Sequence, residues 1–340
     1  MVNLMSKIAV IGAGGWALGL AILLNNNGHK VTVWSKIEAE IKGIKEFGEN
    51  KKSLPGVRIP QEILLTTDLR ICVRNADVVV LAVASPFIRS TAAEIASLNI
   101  SGLNIVNVAK GIEESSLKTM TQVISDEIPS AKVSVLSGPS HAEEVGRGIP
   151  TTCVIGSASK DNAEYLQNIF MSDVFRVYIS PDILGIELGG SLKNVIALAA
   201  GIADGLGYGD NTKAALITRG IHEISRLGIA MGGRIETFSG LSGIGDLIVT
   251  CASMHSRNRR AGILIGQGYS MQEAMDEVHM VVEGVYSAKA ALALGRKYNV
   301  ELPIIEGVNR VLFDNISPAE TVKELMARDK KSENSNLPWD

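Results

Sequence analysis

The chain is poor in aromatic residues, nearly free of net charge and thin in cysteine, and each shortage closes off a class of function. Aromatics make up 4% of the 340 residues while hydrophobic residues reach 46%, so the interior is aliphatic and the chain folds rather than staying disordered. A formal net charge of −3 implies neither a nucleic-acid-binding stripe nor a surface that repels polyanions. The basic run Arg257 to Arg260, interrupted by Asn258, is too short for a nucleic-acid arm. Cys72, Cys153 and Cys251 lie far apart, without a C-x-x-C spacing or a nearby His pair, which excludes a zinc cage and points to reduced thiols in the cytoplasm. No charged n-region followed by an apolar h-region precedes the first strand, so no signal peptide is expected. The most apolar stretch, 183–206, carries Glu187, Lys193 and Asp204, which makes it a buried helix rather than a membrane span.

The length exceeds what one hydrophobic core serves, and the texture divides accordingly. Short β-branched runs at 30–34, 77–84, 104–109, 132–136 and 151–155 alternate with helical stretches, the pattern of parallel βαβ units in a sheet covered on both faces. After Ser180 strands vanish and helical periodicity continues to about Arg328. The expected organisation is α/β: an N-terminal Rossmann-type doubly wound sheet over 1–180, a C-terminal all-α domain over 181–330, and a polar tail over 331–340. Ser180-Pro181-Asp182 reads as a helix start, with Ser180 at the N-cap, Pro181 at the first position and Asp182 in the first turn. The helix that follows contains Gly185, Gly189, Gly190 and Gly201, each costing about 1 kcal/mol against alanine. Close packing against another helix or a ligand offsets that cost, with ordinary core packing as the alternative.

Within this frame, a few patches carry chemistry. The apolar run Ile8 to Ile11 leads into Gly12-Ala-Gly14-Gly15-Trp16-Ala17, a strand ending in glycines that open a helix. Such a turn lets backbone amides approach a pyrophosphate at the helix's positive end, and Ala17 in the third fingerprint position still allows close helix packing. The second strand ends at Trp34-Ser35-Lys36, without the acid that an NAD-selective site offers to the ribose. Lys36 suits a 2′-phosphate, which leans the cofactor toward NADP and leaves NAD open; a solvated lysine past a strand is the plainer reading. Lys110-Gly111 places a cation at the ligand end of a strand, and Ser137-Gly138-Pro139-Ser140 supplies hydroxyls and amides suited to a small anion. Lys193-Asn194 lies inside the apolar segment, where burial and the cations Lys110 and Arg257 lower a lysine's pKa toward neutrality while Asp246 opposes them. A snorkelling structural lysine is the alternative. The segment from Gly243-Ile-Gly245-Asp246-Leu247 through Thr250 to Ser256-Arg257-Asn258-Arg259-Arg260 reads as a phosphate clamp.

Taken together with Gly205-Leu-Gly207-Tyr208-Gly209, Leu216 to Gly220 and Val282-Glu283-Gly284, these patches make the chain resemble the bacterial NAD(P)-dependent glycerol-3-phosphate dehydrogenases over almost its full length. The resemblance implies interconversion of sn-glycerol 3-phosphate and dihydroxyacetone phosphate, feeding phospholipid synthesis, with NADP or NAD as cofactor. It implies Lys193 as proton donor and acceptor, with Lys110 and Asp246 beside it. Lys110, Gly138, Ser140, Lys193, Asn194, Asp246, Thr250, Ser256, Arg257 and Asn258 fall where the family holds the substrate. Gly12, Gly14, Gly15, Trp16, Lys36, Lys110, Ala142, Arg257, Val281 and Glu283 fall on the nucleotide side. Three positions depart from the family: Gly15 and Ala17 stand where Ser and Gly are usual, and Lys36 where Arg or His is common. No metal is expected. The partner is a small phosphorylated molecule, neither nucleic acid nor membrane, and a homodimer is the assembly left open. Two rival functions remain: a β-hydroxyacid dehydrogenase of the 6-phosphogluconate type, and a non-catalytic dinucleotide sensor, in which Lys193 and Asp246 would be replaced.

Overall fold

A computed structural model of the chain describes residues 5–330, 332 and 333; most of the expected polar tail, 331–340, lies outside the described residues. Eight strands form one sheet: β1 (Lys7–Ile11), β2 (Lys30–Trp34), β3 (Leu64–Thr66), β4 (Val78–Leu81), β5 (Asn104–Asn107), β6 (Lys132–Ser137), β7 (Thr151–Gly156) and β8 (Phe175–Ser180). Their spatial order is β3-β2-β1-β4-β5-β6-β7-β8. The first six follow the order of dinucleotide-binding sheets, which reverses direction between β1 and β4 and opens a crevice there. Around them lie α1 (Gly15–Asn26), α2 (Glu38–Phe47), α3 (Leu69–Val73), α4 (Ile88–Ala96), α5 (Met120–Glu127), α6 (Ala142–Val145) and α7 (Lys160–Phe170).

Continuous apolar runs make the central strands, and their alternating side chains feed two cores. Ile8 and Val10 of β1 join Val78 and Val80 of β4 on one face. Ala9 and Ile11 join Val79 and Leu81 on the other. A sheet buried on both faces needs such runs, because successive side chains point to opposite sides.

Three expectations need correction. The sheet is not parallel throughout: β7 runs antiparallel to β6, and β8 parallel to β7. The connection between β6 and β7 carries only the four-residue α6, which packs over α1 instead of forming a crossover helix. Strands β3 and β8 were not anticipated, since one has only three residues and the other alternates Arg176 and Tyr178 outward on an exposed edge. The helix start also shifts. Ser180 ends β8, and Asp182 is the N-cap, its Oδ1 accepting from the Gly185 amide at 2.9 Å while Oδ2 accepts from the Arg234 amide and the Thr237 hydroxyl. The two oxygens of a carboxylate satisfy all three of these donors, one more than the two lone pairs of a serine hydroxyl can accept from.

Beyond β8 the described residues contain only helices and turns: α8 (Ile183–Gly205), α9 (Asp210–Ala230), α10 (Ile235–Phe238), a π-turn over Leu241–Gly245, α11 (Asp246–Ala252), α12 (Arg257–Gly266), α13 (Met271–Val278), α14 (Glu283–Lys297), α15 (Pro303–Phe313) and α16 (Pro318–Met326). The central helix is α8, wrapped by the others. Among the described residues it alone is long and apolar enough to cross a membrane, yet 83% of that window is buried inside the protein. Its glycines are explained by close approach. A Cβ on Gly201 would lie 2.1 Å from the Arg259 carbonyl oxygen, and one on Gly262 would lie 2.3 Å from that of Leu198, so α8 and α12 touch backbone to backbone. The contact replaces side-chain volume with helix-on-helix packing, which is how the propensity cost is offset.

Candidate active site

The crevice between β1 and β4 is built from backbone. Gly12 follows β1 with φ +125°, and a Cβ there would come within 2.9 Å of the Ala82 carbonyl oxygen. Only glycine adopts that conformation without strain. Gly14 is the N-cap of α1, with nothing within 4 Å of where its Cβ would be, and no side chain caps the helix. The amides of the first turn are therefore available to an anion, and the helix dipole favours one. The departure at Gly15 has a local cause: a Cβ would sit 2.4 Å from the Ser53 carbonyl oxygen. That loop is drawn in by Asn50, whose Nδ2 donates to the Ala13 carbonyl at 3.0 Å. Ala17 is 1% exposed and packs in the sheet core. A dinucleotide's pyrophosphate fits this cradle, and the buried, unpartnered Trp16 Nε1 beside it offers one more donor.

From the cradle a groove of about 1310 Å³ runs over Trp34, Ser35 and Lys36, and a tighter cleft of about 260 Å³ runs toward the helical half. Gly14, Ala82, Arg257 and Val281 line both. Lys36 is exposed, 3.5 Å from Glu94. Ala142 and Glu283 line the cleft. Burial pushes the Glu283 carboxyl up, and Arg257 holds it down.

The cleft's far wall holds the charges. A π-turn whose Gly243 takes φ −96° and ψ −105°, with a Cβ position only 2.1 Å from the Phe238 carbonyl oxygen, launches α11 and so places Asp246. Lys193 comes from α8 and is 6% exposed; Asp246 is 1% exposed. The Lys193 ammonium donates to Asp246 Oδ1 at 2.5 Å and to the Thr250 hydroxyl at 2.6 Å. Lys110, just past β5, donates to Asp246 Oδ2 at 2.6 Å and to the Gly138 carbonyl at 3.1 Å. Two cations share one buried carboxylate. Burial lowers the Lys193 pKa to about 8; Lys110 adds to that, and Asp246 works against it. Such a group is charged at neutral pH and exchanges its proton close to it.

Several expected contacts are redistributed. Asp246 is buried beside both lysines and pairs with each, so it is their shared counter-ion. The Gly138 carbonyl accepts from Lys110 and from the Ser140 hydroxyl. In the expected clamp, Ser256 caps α12 by accepting from the Arg259 amide, and Arg259 turns away to Asp204 at 2.7 Å. Asn258 lines the cleft and is also held from within: its Nδ2 donates to Asn194 Oδ1 at 3.0 Å and its Oδ1 accepts from the Gly284 amide at 2.8 Å. Ser256, Arg257 and Arg260 line the cleft, as do Ser140, Asn194 and Thr250. Two histidines unremarked in the sequence also line it. His141, whose pKa burial and then Lys193 lower, stands across from His255, their rings 5.7 Å apart. Nothing in local sequence marks either one.

Residues 7–163 match the family described as NAD-dependent glycerol-3-phosphate dehydrogenase N-terminus, and residues 182–323 match its C-terminus. The chain belongs to the NAD-dependent glycerol-3-phosphate dehydrogenase family. Relatives named glycerol-3-phosphate dehydrogenase [NAD(P)+] include one from Agathobacter rectalis, 61% identical over 98% of this chain and 100% of its own length, and one from Fusobacterium nucleatum, 61% identical over 97% and 99%. The crystal structure of glycerol-3-phosphate dehydrogenase from Coxiella burnetii is similar, with a TM-score of 0.92 and 34% identity over 95% of this chain and 99% of that one. A D-mandelate dehydrogenase structure shares the fold alone, at 15% identity and a TM-score of 0.62.

Proposed function

We propose that this glycerol-3-phosphate dehydrogenase family member interconverts sn-glycerol 3-phosphate and dihydroxyacetone phosphate with NAD or NADP, and that Lys193 moves the proton. The observation that carries this reading is a buried ammonium with a pKa near 8, held by Asp246 and Thr250 on the wall of a cleft that joins a dinucleotide cradle. Residues 1–180 form the dinucleotide unit in this reading and 181–330 the substrate unit. Gly12, Gly14 and Gly15 hold the pyrophosphate, with Trp16, Ala142, Val281 and Glu283 along the rest of the nucleotide and Lys36 near the adenosine ribose.

When bound, the nicotinamide supplies or accepts the hydride at the substrate's central carbon. Lys193 gives its proton to the oxygen as the ketone becomes an alcohol, and takes it back in the reverse direction. Lys110 stabilises the charge that develops on that oxygen, at a fixed distance and without solvent reorganisation. Asp246 keeps both ammonium groups aimed and favours the charged form of Lys193. Arg257, at the first position of α12, binds the substrate phosphate with the amides of that helix start behind it. Asn194, oriented by Asn258, and Ser140 offer hydrogen bonds to the substrate. Holding both ends of a three-carbon molecule supplies positioning that is worth several kcal/mol in such reactions.

The three cysteines are free and buried, which supports a cytoplasmic setting, and glycerol 3-phosphate for phospholipid synthesis is the product in that setting. The test is steady-state reduction of dihydroxyacetone phosphate with NADPH and with NADH, beside oxidation of β-hydroxyacids. Turnover of the phosphorylated ketone with either cofactor is expected. Activity on hydroxyacids alone would transfer the chain to the 6-phosphogluconate type of reaction. A preference for NADPH that Lys36→Ala abolishes would assign the 2′-phosphate to Lys36.

A further inference from the structure

Lys110 sits on a loop, yet a two-cation site works only if both ammonium groups hold their separation. The loop is gripped from α8, the helix that also carries Lys193. Glu187, 4% exposed, accepts at Oε1 from the Thr121 amide at 2.8 Å and from Asn107 Nδ2 at 3.2 Å, and at Oε2 from the Thr121 hydroxyl at 2.5 Å. Asn107 in turn clasps the residue before the lysine: its Nδ2 donates to the Ala109 carbonyl at 3.0 Å, and its Oδ1 accepts from the Ala109 amide at 3.1 Å. On the other side of the lysine, the Ser191 hydroxyl donates to the Gly111 carbonyl at 3.1 Å. Between these two grips the Lys110 stem passes over Gly190, where a Cβ would stand 3.5 Å from its Cγ.

Positions 187, 190 and 191 fall on one face of α8, three and four residues apart. Apolar contact with the sheet could have been made by leucine there. A carboxyl buried at such a place costs free energy unless donors satisfy it, and here three donors do, all from the sheet half. We propose that Glu187 and Ser191 are positioning residues that clamp the 109–111 peptide from α8 and thereby set Lys110 against Lys193 across Asp246. The inference rests on Lys110 belonging to the site as described under Proposed function, and it adds what holds Lys110 there.

The experiment is a double-mutant cycle. Glu187→Ala, Glu187→Gln and Ser191→Ala are measured alone and combined with Lys110→Met, for kcat and KM with dihydroxyacetone phosphate, for dinucleotide Kd by fluorescence, and for Tm. Glu187→Ala is expected to lower kcat/KM about tenfold or more, with dinucleotide Kd changed less than about twofold, and to lose most of that effect in the Lys110→Met background. Ser191→Ala follows the same pattern at about threefold. Glu187→Gln stays within about threefold of the parent, because its oxygen can accept from Thr121 and Asn107 while its nitrogen donates to the Thr121 hydroxyl. A freed Lys110 also stops depressing its neighbour, so the alkaline limb of ketone reduction moves upward in Glu187→Ala. Equal losses in both backgrounds, or an unmoved alkaline limb, would show a merely structural carboxyl and overturn the proposal. Where Glu187→Ala does not fold, the Ser191→Ala cycle decides by the same criteria. An unimpaired Lys110→Met, or a parent protein inactive on the ketone, instead sinks the functional reading beneath.

Discussion

The two walls of the cleft are made of different material. The sheet wall presents backbone: a left-handed glycine, a bare helix start and the carbonyls that crowd them. The helical wall presents buried charge: Lys193, Asp246 and the hydroxyl of Thr250, joined by Lys110 from just past β5. Backbone can bind a pyrophosphate because every residue carries an amide, so one short turn suffices. Proton transfer needs a group with a shifted pKa, and shifting one takes burial and charged neighbours from several segments. Binding here is local and chemistry is not.

That contrast can be broken at points of decreasing effect. Lys193→Ala is expected to lower kcat by about 10²- to 10⁴-fold while dinucleotide Kd barely moves, checked by steady-state rates and fluorescence titration. Coupled losses in both quantities would mean the walls do not divide their labour. Arg257→Ala, which removes the proposed charge-assisted bond to phosphate, should raise KM for dihydroxyacetone phosphate by about 10- to 100-fold, with a smaller change in kcat. With Lys193 as the proposed proton donor, the rate of ketone reduction should fall about tenfold per pH unit above pH 8, whereas glycerol 3-phosphate oxidation should rise through the same point. Parallel pH profiles in the two directions would remove Lys193 from the proton path. The smallest effect lies outside the site. Glu223 caps α15 by accepting from the amides of Ile304 and Ile305, and burial pushes its carboxyl up to about 7. Because the folded pKa is raised, its contribution is complete below about pH 4.5 and is lost as pH rises through 7. Glu223→Ala should therefore cost about 1–2 kcal/mol at acid pH and less at pH 8, measured by denaturant titration at both.

Much of this was legible along the chain. The strand-glycine-helix turn at 8–17 is contiguous, and the buried runs at 78–81 and 104–107 are too apolar to be anything but interior strands. The helix at 183–205 could be read from its length and composition. Three things could not. The antiparallel return of β7 depends on a crossover helix that is too short, and β8 hides because its outward residues break the apolar run. Within the Ser256 to Arg260 run, the order of residues does not show that helical geometry sends Arg259 to Asp204 and leaves Ser256, Arg257, Asn258 and Arg260 on the cleft. Nor does it show that one carboxylate, Asp246, pairs with both lysines at once. A residue's type tells what it can bond, and its neighbours decide what it does bond.

By itself, then, the order of residues determined the two textures, the dinucleotide turn and the identities of the charged groups, since these follow from chain-local dihedral freedom, periodicity and side-chain chemistry. Only the tertiary structure decided that Lys110, Lys193 and Asp246, up to 136 residues apart, meet with one carboxylate paired to both ammonium groups. The physical reason is that burial and Coulomb interaction depend on distance through space, and the chain sets that distance only once α8 has packed against both the sheet and α11.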